Sequence, residues 1–187
     1  MGQIGMKSIL DILLSSDNKP ALQEMQKKFD LSEAETRTAV EELIPALSRG
    51  IQNNTKDAGG MDELLEALRT GEHAKYMEQP GSLSDAATTR EGNDILGHIF
   101  GDKKVSREVA SRASQKAGIS SSLLKKMLPV VATLVMGAMS KKVLGGGNTG
   151  RTVQAGSGGI LSSLLDSDRD GSIWDDVLGM AARSMLR

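Results

Sequence analysis

The stretch "MLPVVATLVMGAM", residues 127–139, decides how the rest of the chain reads. It is the longest apolar run, and it falls short of the ~20 residues that a membrane-spanning helix needs. It therefore reads as a core helix that other helices must cover, and no membrane partner is expected. "SSSLLKK" precedes it with a serine that suits a helix start.

Composition agrees. The only aromatics are Phe29, Phe100, Tyr76 and Trp174, so the core must come from Leu, Ile, Val, Ala and ten Met. That favours helix packed on helix over a β-sandwich. The same scarcity argues against an aromatic platform for single-stranded nucleic acid. A formal net charge of -1 gives no general pull towards nucleic acid or anionic lipid. Cysteine is absent, which excludes disulfides, thiol catalysis and cysteine metal sites and suits a reducing cytoplasm. The start, "MGQIGMKSILDILLSSD", lacks an extended apolar core and a cleavage site, and Met6 stands where a myristoylation signal wants Ser or Thr. A cytoplasmic location is the expectation.

Helix signals recur along the chain. "MKSILDILLSS" puts Ile9, Ile12 and Leu13 on one face. In "FDLSEAETRTAVEELIPALSRGI" (29–51), Ser32 and Glu35 make a capping box, and Val40, Leu43, Ile44, Leu47 and Ile51 keep helical spacing. Pro45 should kink that helix or begin a new segment. The same stretch aligns without a gap on "AGISSSLLKKMLPVVATLVMGAM" (117–139). Upstream, "ALQEMQKKFDLS" matches "VASRASQKAGIS". Downstream, "GGMDELLEALRTG" (59–71) matches "GGILSSLLDSDRDG" (158–171) with one gap. An internally duplicated helical unit is the reading. The fold expected is all-α and multihelical. Residues 1–80 are expected to form one unit, 81–92 a linker within the turn-rich 78–94, and 93–187 the second unit, packed as one body. The Gly-rich "GGGNTGRTVQAGSGG" (145–159) leads to two last helices.

The motifs "REGNDILGHIFGDKKVSREVASRASQKAGISSSLLKKMLPVVATLVMGAMSK" (90–141), "GGMDELLEALRTGEHAKYMEQP" and "GGILSSLLDSDRDGSIWDDVLGMA" together resemble the bacterial domain-of-unknown-function 937 family, also called YidB-like. The resemblance spans nearly the whole chain, and "GNDILGHIFG" is its most specific piece. It implies an all-helical fold and a bacterial source, and it implies no activity or catalytic residue.

One stretch looks suited to a ligand. "DSDRDGSIWDD" (166–176) places Asp166, Asp168 and Asp170 at positions 1, 3 and 5 of a calcium loop, with Gly171 at the tight turn and Ser172 offering its carbonyl. Position 12 wants a bidentate Glu and holds Val177, so Asp176 would have to close a shortened loop. A polar loop that caps the final helix is the competing reading. The matching corner of the first half, "RTG", has no such acids, so the turn itself does not require them.

Other candidates are weaker. "GGNTGRT" after Gly145 formally fits a phosphate loop with Arg151 for Lys, but no strand precedes it, so it reads as a linker. "VASRASQKAGISSSLLKKML" has the outline of a helix-turn-helix around Gly118. Its second helix carries Val130, Val131, Leu134, Val135 and Met136, which want a core, and only Lys125 and Lys126 could meet phosphates. His73 and His98 lack a third ligand at metal spacing and read as polar residues bonded within helix packing. Ala46, Gly50, Ala132, Gly137 and Ala138 permit close helix approach. Met136 and Met139 read as core filling, or otherwise as part of a face for a partner helix.

The expectation that follows is a non-enzymatic interaction or structural protein with a protein partner. The alternatives are a calcium-type cation bound by Asp166, Asp168, Asp170, Ser172 and Asp176, and nucleic-acid binding. A homo-oligomer is compatible with all of these.

Overall fold

The computed structural model describes residues 9–56 and 58–144. Among the described residues eight α-helices follow one another: α1 (Ile9–Leu13), α2 (Lys19–Phe29), α3 (Glu33–Asn54), α4 (Ala58–Thr70), α5 (Lys75–Glu78), α6 (Ala86–Phe100), α7 (Lys103–Ala117) and α8 (Ser121–Leu144). Short 3-10 turns at Ser16–Asn18 and Pro80–Ser84 precede α2 and α6. No strand occurs among the described residues.

The centre of the body is α8. From Met127 to Ser140 every residue on it is buried, because α1, α3, α4, α5, α6 and α7 all pack against it. A helix apolar on all sides needs cover on all sides, and the shorter amphipathic helices supply it. By length and composition alone, 22 residues of α8 (Ser121–Lys142) could cross a membrane, with a mean hydropathy of 1.4, yet 78% of the most apolar window is buried in this body. Met136 and Met139 are part of that core.

Local signals explain the boundaries. The Ser32 hydroxyl accepts from Glu35 N at 3.2 Å while Ser32 N donates to Glu35 Oε2 at 2.8 Å, which is the expected capping box of α3. The Ser120 hydroxyl accepts from Leu123 N at 3.3 Å and starts α8 in the same way. Left-handed residues precede both starts: Asp30 (φ 54) ends α2 and Gly118 (φ 69) ends α7. Of the two outcomes expected at Pro45, no new segment begins there: α3 runs through it, and α8 likewise runs through Pro129. Each proline removes one intrahelical donor, and the burial of both helices on several neighbours keeps them continuous. The turn-rich stretch 78–94 holds the end of α5, the second 3-10 turn and the first part of α6. There the Thr88 hydroxyl donates to Ser82 O at 2.5 Å.

Close approaches set where α6 lies. Gly92 on α6 faces the backbone of Pro129 on α8, and Gly50 on α3 faces Ile99 and Phe100. These contacts place α6 across α8 and α3, and they leave a groove between α6 and α4.

Candidate functional site

The groove encloses about 510 Å³ between α3, α4, α6 and α8, within the size range of ligand pockets. Its walls are Ile51 of α3, Leu64 and Ala67 of α4, Ile95 and Ile99 of α6, and Met136 of α8. Glu63 and Glu66 stand on the α4 side, with Glu91 and Asp94 on the α6 side. No Lys or Arg lines it among the described residues. The α4 start lies close to the end of α3, where Gly60 faces Asn54 O, and Asn54 Nδ2 donates to His98 O at 3.0 Å. Together these contacts hold the groove open at a defined width.

At one end sits a polar cluster built on Glu91. The Tyr76 hydroxyl donates to Glu91 Oε2. His73 Nδ1 lies 2.9 Å from Glu91 Oε1, and Lys75 Nζ lies 4.0 Å from Oε2 and 5.0 Å above the Tyr76 ring. The His73 side chain is 8% exposed and that of Glu91 is 32% exposed. Although the His73–Glu91 distance is short, Nδ1 makes no aligned hydrogen bond. Burial raises the Tyr76 phenol well above its ordinary value, and its bond to Glu91 pushes the same way. The phenol therefore stays protonated and acts as a donor. The cluster thus ties the α4–α5 connection to α6 and fixes a carboxylate beside the groove.

Burial also holds the His73 imidazole below its ordinary 6.5, against the opposing pull of Glu91 and of the Ala67 carbonyl. With its folded value depressed, the unfolded chain takes up that proton first as pH falls. The contribution is therefore present above 6.5 and is lost as pH drops through 6.5 towards the folded value. Stability measured by urea unfolding should decline in that window, and His73→Gln should flatten the decline. An unchanged slope in His73→Gln would show that other groups govern it. Glu35, held low by its bonds to Ser32, acts in a separate window below 4.5.

Residues 11–142 match the family described as "Bacterial protein of unknown function (DUF937)". The chain belongs to that family. Every described residue lining the groove lies within the matched span. No curated protein and no solved structure matches the chain.

The residues singled out from sequence fall unevenly on this DUF937 structure. Asp166, Asp168, Asp170, Ser172 and Asp176 lie outside the described residues, as does the stretch 145–152. Among the described residues no group of three or more His, Asp or Glu is placed to hold a metal ion. The helix-turn-helix outline corresponds to α7, the turn at Gly118 and α8. Val130, Val131, Leu134, Val135 and Met136 are buried there, and Lys125 and Lys126 are exposed. His73 and His98, unrelated in sequence, line the same groove. His98 is exposed, with Nδ1 2.9 Å from Asp94 O on its own helix. Glu91 and Tyr76 carried no sequence signal as a pair, because fifteen positions separate two residue types that are common on helix surfaces.

Proposed function

We propose that the protein is a non-enzymatic interaction protein whose groove between α4 and α6 takes an amphipathic helix bearing Lys or Arg beside its apolar face. The observation that carries this reading is the pairing of an apolar floor with Glu63, Glu66, Glu91 and Asp94 and no lining cation among the described residues. An apolar helix face fills such a groove, and its flanking cations meet the rim carboxylates. The lack of cysteine supports a reducing, cytoplasmic setting. The duplicated-unit reading is supported by the matched caps at Ser32 and Ser120 and the matched left-handed residues Asp30 and Gly118.

The test uses two labelled helical peptides with the same leucine face, one flanked by lysines and one by glutamates, titrated against the full chain by fluorescence anisotropy. The lysine peptide should bind more tightly by roughly tenfold or more, and that preference should shrink with salt. Glu63→Lys together with Glu66→Lys should abolish it. Equal binding of both peptides, or of neither, would overturn the reading.

A further inference from the structure

We propose that a second cavity, between the end of α6 and the starts of α7 and α8, binds the diphosphate group of a small anion. It shares no lining residue with the groove beside α4, so it stands independently of the helix-docking reading.

The cavity has a volume of about 530 Å³, within the range of small-ligand sites. Lys103 and Arg107 of α7 and Lys125 of α8 line it together, with Asn93 of α6 and Ser106 of α7 as polar neighbours. The one acid among its described lining residues is Asp102. That carboxylate is already engaged, because it accepts from Lys104 N at 2.8 Å as the cap of α7. The three cations are exposed, and among the described residues none of them makes an ion pair or a side-chain hydrogen bond. A concave site lined by one sign of charge concentrates the opposite sign.

Two features make this arrangement unfavourable without an anion. Lys103 and Arg107 stand four apart on one helix, where like charges repel. The first turn of α7 also holds Lys103 and Lys104 and no acid, against the preference of a helix N-terminus for negative charge. An anion in the cavity offsets both, since it screens the pair and supplies the missing charge beside the α7 start.

The cations also specify the ligand. A lone phosphate group carries about two negative charges, fewer than three cations offer. A diphosphate has more charge, and oxygens enough for a guanidinium that grips two at once with two ammonium groups beside it. No aromatic ring lines the cavity among the described residues, so the diphosphate carries recognition and a stacked base does not. A nucleic-acid backbone wants an extended basic stripe. The exposed Glu108 beside Arg107 interrupts one, and the chain's net charge of -1 does not favour it.

The test is calorimetric titration of the full chain with pyrophosphate, inorganic phosphate and ADP, without divalent cations. The salt is about 0.1 M, where exposed charges are screened over about 10 Å. Pyrophosphate should bind one per chain, about tenfold or more tighter than inorganic phosphate. Arg107→Gln with Lys125→Gln should weaken it by about tenfold or more. The helical circular-dichroism signal should not change, because both side chains are exposed. Lys141→Gln with Lys142→Gln removes the same two charges from exposed positions about 24 Å further along α8. That control should leave binding within about twofold.

ADP binding as tightly as pyrophosphate would assign the group to a diphosphate ester, and weaker ADP binding to free pyrophosphate. Equal weakening by the two pairs of substitutions would reveal a diffuse charge effect and overturn the site. So would a failure of pyrophosphate to bind, or equal affinity for inorganic phosphate. Duplex DNA retained through Arg107 and Lys125, with no binding of pyrophosphate, would give the surface to nucleic acid and overturn the proposal.

Discussion

Gly92→Ala is expected to destabilise the protein by about 2–3 kcal/mol, the upper part of the range for overpacking a close contact. A Cβ on Gly92 would run into the carbonyl of Pro129. That obstacle is backbone on the buried helix α8, so no side chain can swing aside, and α6 must move off α8 as a unit. Movement of α6 also disturbs Glu91, the neighbouring residue in the polar cluster. The control lies on the same helix: Gly97 has no atom within 4 Å of where its Cβ would stand. Gly97→Ala should be neutral or stabilise by up to about 1 kcal/mol through helix propensity. Urea unfolding with an unchanged m-value measures both. Equal effects at the two glycines would refute the close approach that sets the position of α6.

Glu91→Ala should cost a comparable amount, about 2–3 kcal/mol, for a different reason. It removes the acceptor of the Tyr76 hydroxyl on a residue only 1% exposed, and it strips His73 of the one carboxylate beside Nδ1. A buried donor that loses its partner bears its full desolvation penalty, about 1–3 kcal/mol. Tyr76→Phe removes donor and hydroxyl together and should be milder, near 1 kcal/mol. A double-mutant cycle between Glu91→Ala and Tyr76→Phe should show coupling of about 1 kcal/mol, since the second change leaves less to lose. Additive effects would mean that the bond between them contributes nothing. Loss of Glu91 also takes one carboxylate from the groove, so the basic-peptide preference should weaken alongside stability.

Much of the fold was legible in local chemistry. The Ser32–Glu35 box, the Ser120 cap, the glycine turn at Gly118 and the helical spacing of Leu43, Ile44 and Leu47 are each decided within a few residues, and each stands where expected. The run 127–139 is buried on every side, as an apolar helix without a polar face must be. A new segment does not begin at Pro45, for the converse reason. A proline's local cost is real, but the packing of α3 on several neighbours outweighs it, and packing is not written in a local window.

The groove was legible only in single residues: His73, His98 and Met136 stood out, but nothing in the sequence brings them together. Its acids come from α4 and α6, its apolar floor from α3, α6 and α8, and its polar end from a short connection whose His73 and Tyr76 reach Glu91 across the chain. Sequence pointed instead to the acids of 166–176, because consecutive residues display a pattern that residues scattered over four helices cannot.

The amino-acid sequence by itself determined that this chain is helical, where most helices begin and that 127–139 must be enclosed, since propensity, capping and periodicity act over one or two turns. Only the tertiary structure decided which helix faces meet. The close contacts of Gly92 and Gly50 set the crossing of α6 over α8 and α3, and that crossing leaves an acid-rimmed groove beside α4.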